Sequence, residues 1–171
     1  MPDQEALIGY FVHRREAAAS WAALVQVTPE GDPVDFLYTD PLALSGFTRR
    51  LLGPRVDAYL VGRVLLAPLL AQAGRLSLLC FDDPAVLLRR LDVEVPVAVH
   101  APAEAAHKGG AWVRETVAMN GADHTWWLAP RSADAAVDAL RGAAEAMAPF
   151  GILEPFQQLR AAMVELKGEK A

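Results

Sequence analysis

The sequence predicts a mixed α/β fold, an α+β arrangement of strands and helices, and three observations lead there. The 171 residues are 53% hydrophobic and 22% charged, so burial can offset the entropy of ordering and a disordered chain is excluded. Apolar residues recur with period 2 early in the chain and with period near 3.6 late in it, with continuous apolar runs between. Clusters of Gly, Pro, Asp and Asn separate these segments with the chemistry that specific turns require. A chain of this length buries about 70% of the surface its unfolded form exposes, so its core needs no disulfide or metal. One domain over residues 1–171 is expected: a core sheet with crossover helices over 1–101, and a hairpin and helical extension packed on it over 102–171.

Residues 6–13 and 20–28 have strand length and are rich in Val, Leu and aromatics, with the polar and alanine-rich residues 14–19 between them. Pro29-Glu30-Gly31-Asp32-Pro33 is a tight reversal, because glycine supplies positive φ and the prolines fix its flanks. Val34, Phe36 and Tyr38 then alternate with Asp35, Leu37 and Thr39, which predicts a half-buried third strand. Ser45 is placed to cap a short helix through Leu52, Gly53-Pro54 breaks the chain, and a longer helix follows over 55–73. Pro68 lacks the amide that would bond to Val64, so a kink or looser geometry is expected there.

Residues 76–81 form a continuous apolar strand of the kind buried on both faces. Asp83-Pro84 starts a short helix, since the carboxylate caps and proline suits the first helical position. Residues 93–100 follow as a fifth strand. Asn120-Gly121 predicts the turn of a hairpin between residues 111–119 and 124–128. Two helices finish the chain, the first capped by Ser132 and carrying Val137, Leu140, Ala144 and Met147 on one face. The second is opened by Pro155, carries Phe156, Leu159, Met163 and Leu166, and is stopped by Gly168.

Three antiparallel strands followed by helix, strand, helix, strand form a succession that resembles that of ribonuclease H-like folds. The resemblance is one of topology and carries no function by itself. A ferredoxin-like or profilin-like α+β arrangement is the competing expectation. The ribonuclease H-like succession implies carboxylates in the middle of the first strand and at the end of the fourth, where they would hold two divalent ions. The fourth strand does end in Asp82-Asp83, but residues 6–13 contain no acid and residues 55–73 offer only Asp57. Half of the clamp is missing, which argues against an active nuclease of that type.

His100, Glu104 and His107 form the candidate metal site. Glu104 and His107 share a face if they lie on one helix, His100 at a strand end adds a third ligand, and zinc, manganese or iron are the ions such a set takes. Asp123-His124, at the predicted hairpin turn, is close enough in the expected topology to join them. Two features weigh against the site: Pro102 prevents one helix through all three residues, and the Glu-x-x-His pattern of di-iron bundles occurs once where two are needed. The plain alternative is a short exposed helix with titratable surface residues.

No catalytic residue and no organic cofactor are predicted. There is no Gly-x-Ser-x-Gly elbow, no phosphate loop and no dinucleotide fingerprint. Cys80 is the single cysteine and lies in an apolar run that would keep its thiol inert. A net charge of −5 gives no global reason to approach nucleic acid or an anionic membrane. Arg14-Arg15, Arg49-Arg50 with Arg55, and Arg89-Arg90 read as solvated helix ends. Residues 56–73, the longest apolar stretch, carry Asp57, Arg63 and Pro68 and make a poor membrane span.

Trp21 reads as core. Trp126 and Trp127 are adjacent on one strand and must face opposite sides of it. Trp112, Trp126, Trp127 and Phe156 are therefore the candidate interface residues. The functional expectation is a cytoplasmic, non-catalytic interaction or accessory module whose partner is another protein or a second copy of itself. Its rival is a metal-dependent, nuclease-like hydrolase using His100, Glu104 and His107.

Overall fold

The computed structural model describes residues 6–88, 91–105 and 111–169. Among them seven strands form one mixed sheet: β1 Leu7–Glu16, β2 Ala19–Val27, β3 Pro33–Tyr38, β4 Leu76–Phe81, β5 Val97–His100, β6 Val113–Met119 and β7 Ala122–Leu128. The order across the sheet is β3-β2-β1-β4-β5-β7-β6. β1 pairs antiparallel with β2 and parallel with β4, β4 runs parallel with β5, and β7 turns back antiparallel against β5.

The β1–β2 hairpin is longer than its polar tip suggests. Arg14, Arg15 and Glu16 continue the ladder opposite Trp21, Ser20 and Ala19, and a two-residue turn at Ala17-Ala18 closes it. Ala17 takes φ 49°, a left-handed conformation that costs an L-residue about 1 kcal/mol and that no Gly or Asn announces in the sequence. The two other reversals follow their chemistry. Gly31 at φ 95° closes onto the Thr28 carbonyl (2.9 Å), and Asn120 and Gly121 at φ 50° and 81° form the hairpin turn that requires positive φ twice.

Between β3 and β4 the chain crosses one face of the sheet through α1 Gly46–Leu52, a 3₁₀ turn Gly53–Arg55, α2 Val56–Tyr59, a π-helical segment Leu60–Leu66 and α3 Ala67–Gln72. Ser45 caps α1, its Oγ accepting from the Thr48 amide at 3.1 Å. The single helix expected over 55–73 is thus divided. Pro68 cannot bond to Val64, and the turns before it widen so that the Ala67 amide reaches the Gly62 carbonyl five residues back.

Asp83 Oδ1 accepts from the Ala85 amide at 2.9 Å and starts a 3₁₀ helix over Pro84–Leu88. The fifth strand is shorter than the predicted 93–100. Pro96 has no amide for the ladder, and pairing begins at its carbonyl, which accepts from Leu79. After β7 come α4 Ala133–Ala146 and α5 Glu154–Glu169. Ser132 stands at the N-cap of α4 but its side chain makes no capping bond, because a 3₁₀ turn at Pro130–Ser132 leads into the helix instead. Nor does Gly168 stop α5, which runs on to Glu169.

The sheet is covered on both faces. Tyr10, Val12, Trp21, Leu78, Cys80 and Trp126 pack under α4 and α5 with Leu140, Met147, Phe156 and Met163. Phe11, Leu24, Leu79, Phe81, Val99 and Trp127 pack on the other face under Leu60, Val61, Leu65 and Leu69 of the crossover. No described helix is long and apolar enough to cross a membrane.

Candidate functional site

β1, β4 and β5 are parallel, so their carboxyl ends share one edge of the sheet, the edge at which α/β sheets commonly receive ligands. A cavity of about 590 Å³ opens there, lined by His13 and Arg14 of β1, Phe81, Asp82 and Asp83 at the end of β4, and Arg160 of α5. Both carboxylates are already engaged: Arg160 donates to Asp82 Oδ2, and Asp83 accepts the Ala85 amide. Arg160 also lies over the ring of Phe156, 5.9 Å from its centroid.

His100 ends β5 beside this cavity. The register sets it opposite Trp126 on β7, and His124, two residues earlier on β7, shares that face. His100 Nε2 lies 3.3 Å from His124 Nδ1, and its ring lies 5.2 Å from that of Trp126. One proton between the two nitrogens makes a hydrogen bond, whereas two would repel. Burial first, and His124 second, draw the His100 pKa below its ordinary value, against an opposing pull from Asp82.

Of the predicted metal ligands, His100 is half-buried at this edge and Glu104 is exposed on the turn beyond β5. His107 lies outside the described residues. Among the described residues, no group of three His, Cys, Asp or Glu side chains is placed to hold a metal ion. The residue that meets His100 is His124, and the direct pairing of β5 with β7, with β6 at the outer edge, is what joins them.

The aromatic candidates lie largely inside. Trp126 is wholly buried under α4 and α5, Phe156 of α5 is wholly buried against the sheet, and Trp127 is buried on the opposite face, its Nε1 donating to the Pro102 carbonyl at 3.3 Å. Trp112 is half-buried against the same second cluster. The adjacent tryptophans do face opposite sides, as strand geometry requires, but the chain itself covers both. Burial removes the argument that made Trp126, Trp127 and Phe156 interface candidates. Cys80 is fully buried and its thiol pKa is pushed well up.

Compared with known proteins, the chain matches no family model and no curated protein.

The outer side of the crossover layer carries two of the most exposed large apolar side chains among the described residues. α1 contains no buried residue, and Phe47 and Leu51, one turn apart, are 73% and 65% exposed. Arginines recur along the same stretch of chain. Arg49, Arg50, Arg55, Arg63 and Arg75 stand in this region against Asp57 alone. Asp57 is itself paired with Arg15 at 3.8 Å, and Arg49 is spent on the Leu44 and Ala18 carbonyls. Arg50, Arg55 and Arg63 are exposed and form no ion pair among the described residues. By sequence, Arg49-Arg50 with Arg55 read as solvated helix ends. The exposed Phe47-Leu51 pair among them was the missed signal, readable as two large apolar residues at i and i+4 beside Arg50.

Proposed function

We propose that this chain is a non-catalytic interaction module, built on a degenerate ribonuclease H-like sheet, that docks a protein partner on the outer face of its crossover layer. The observation that carries the reading is α1, a helix that contributes nothing buried to the fold and holds Phe47 and Leu51 out among arginines. Exposed aromatic side chains and arginine on one short helix are residue types enriched at interfaces.

Two further observations support the degenerate sheet. The first is the order β3-β2-β1-β4-β5, with β1, β4 and β5 parallel and β2 antiparallel. The second is the chemistry at the strand ends. β1 offers Tyr10, Phe11 and Val12 where that architecture wants an acid, and Asp82 is neutralised by Arg160.

The test compares partners recovered from an extract of the source cells by the wild-type chain and by the double variant Phe47→Asp, Leu51→Asp. Proteins recovered by the first and lost by the second are expected. Identical recoveries would remove the crossover layer as the docking face. Marked stabilisation by added zinc or manganese would instead favour the metal-dependent hydrolase through His100, Glu104 and His107.

A further inference from the structure

The docking face makes no use of the cavity at the carboxyl edge of the sheet, and the topology explains why that cavity is open. β1 and β4 lie side by side and run parallel, yet the chain leaves them in opposite directions: from β1 it turns back into β2, and from β4 it passes through Pro84–Leu88 to β5. Connections that diverge in this way are what open a ligand crevice at the end of a parallel sheet. β1 also outlasts its neighbour. Its pairing with β4 ends at Phe11 opposite Phe81, and from there to Glu16 it is paired with β2 alone. The space of about 590 Å³ lies along this unpaired stretch, a volume within the range of small-molecule sites.

The lining has an apolar part and a charged part. Phe11 and Phe81, with ring centroids 5.4 Å apart, and Val61 of the π-helical segment are buried side chains that reach the cavity. Val164 of α5 lines it too, 56% exposed, one turn after Arg160. In the charged part Arg14 and Arg160 balance Asp82 and Asp83. Bonding capacity remains there. Arg160 donates through one terminal nitrogen to Asp82 Oδ2, and Asp82 Oδ1 accepts no hydrogen bond among the described residues. Arg14 is held only by a 3.6 Å ion pair to Glu16, which has a closer partner in Lys167 at 2.5 Å.

The geometry points to a binding site for a small zwitterion with an apolar side chain, the chemistry of a free α-amino acid such as leucine or phenylalanine. Because the fixed charges balance, a ligand of either net charge meets repulsion as well as attraction. A zwitterion sets its own two charges against the Asp82–Arg160 pair in the reverse order. Its carboxylate takes guanidinium N–H groups of Arg160 and Arg14, and its ammonium donates to Asp82 Oδ1. Its side chain lies on Phe11, Phe81, Val61 and Val164. A neutral polyol would match the charged part and leave that apolar lining against water. The site is independent of the crossover layer as a docking face, since neither Phe47 nor Leu51 lines the cavity.

The experiment is calorimetric titration of the full chain with L-leucine and L-phenylalanine. At least one is expected to bind with a dissociation constant of about 1 mM or tighter. The same side chains without the ammonium, in isocaproate and phenylpropionate, or without the carboxylate, in isoamylamine and phenethylamine, forgo charge-assisted hydrogen bonds and are expected to bind about tenfold or more weakly. Asp82→Asn with Arg160→Gln removes both charges and is expected to weaken the amino acid about tenfold, with the urea midpoint close to that of the wild type. Val164→Trp adds bulk to the lining from an exposed position, so it leaves the core intact and is expected to lower affinity as well.

Failure of both amino acids to bind at about ten times that concentration would overturn the inference. So would single-charge forms that bind as tightly, glucose bound in preference to either amino acid, or binding that both variants leave unchanged. Amino-acid binding by a chain that recovers no Phe47-dependent partner from extract would keep this site and end the docking face, and the converse result would do the reverse.

Discussion

The two faces of the sheet are covered by helices in opposite ways. On one, α4 and α5 lay Leu140, Met147, Phe156 and Met163 onto Tyr10, Trp21, Cys80 and Trp126, and the aromatic rings interlock, with Tyr10 and Phe156 edge to face at 4.8 Å. On the other, the crossover reaches the sheet only through the π-helical segment and α3, while α1 stands off with nothing buried. The α4–α5 layer buries most of its large apolar residues but leaves Phe150 and Val164 57% and 56% exposed, while α1 of the crossover holds Phe47 and Leu51 73% and 65% exposed and buries nothing.

The largest expected effect lies on the dense face. Trp126 is wholly buried, and Trp126→Ala empties the space between His100 and the α4–α5 layer, so a loss of about 3–5 kcal/mol in urea unfolding is expected. A loss below about 1.5 kcal/mol would mean that this face is not the anchor of the fold. The crossover face should prove just as tight at the sheet itself, whatever its outer side does. A Cβ at Gly9 would lie 2.9 Å from Leu76 Cδ1 and 3.2 Å from Leu24 Cδ1. Leu24 has no solvent to retreat into, so Gly9→Val should overpack this layer and cost about 1–3 kcal/mol. A neutral result would show that the looseness of the crossover extends down to the strands.

What could be read beforehand follows from how local each determinant is. Ser45, Asp83-Pro84 and Asn120-Gly121 act within four residues of themselves, and all three do what their chemistry states. The tip of the first hairpin escaped because Ala17 holds a left-handed conformation that its type does not advertise. Pro68 signalled a disturbance, but the wider turns fall before it, where the Ala67 amide finds Gly62. Ser132 failed as a cap because the preceding 3₁₀ turn, set by Pro130, had already begun the helix.

At the site, the approach of His124 to His100 follows the expected topology, whereas their direct contact depends on a pairing of β5 with β7 that passes over β6 in chain order. No spacing along the chain encodes that register. The fate of Trp126 and Trp127 was open for the same reason: their opposite facing was local, and what covers each face was not.

The histidine pair adds a pH dependence to the dense face. His100 binds its proton less tightly in the folded chain than in the unfolded one, where histidine titrates near 6.5. A depressed folded pKa leaves the contribution complete above the unfolded value, and it is lost as pH falls through 6.5 and on through the folded pKa, because the unfolded chain takes up the proton first. The urea midpoint should therefore drop between pH 7.5 and 5.5, and His100→Gln should reduce that drop. Parallel pH profiles for the two proteins would show that the pair bears no part of it.

The smallest effect is the most informative about the other face. Phe47 and Leu51 are mostly in water in the isolated chain, so Phe47→Ser with Leu51→Ser should change unfolding by no more than about 0.5 kcal/mol for each substitution. That near-neutrality holds only at high dilution. If a second copy covers these side chains, raising the protein concentration stabilises the wild type by mass action and leaves the double variant where it was. Unfolding midpoints that climb with concentration for one protein and stay flat for the other would tie the exposed helix to association. Two flat lines would mean that α1 holds its apolar pair out for something other than its own kind.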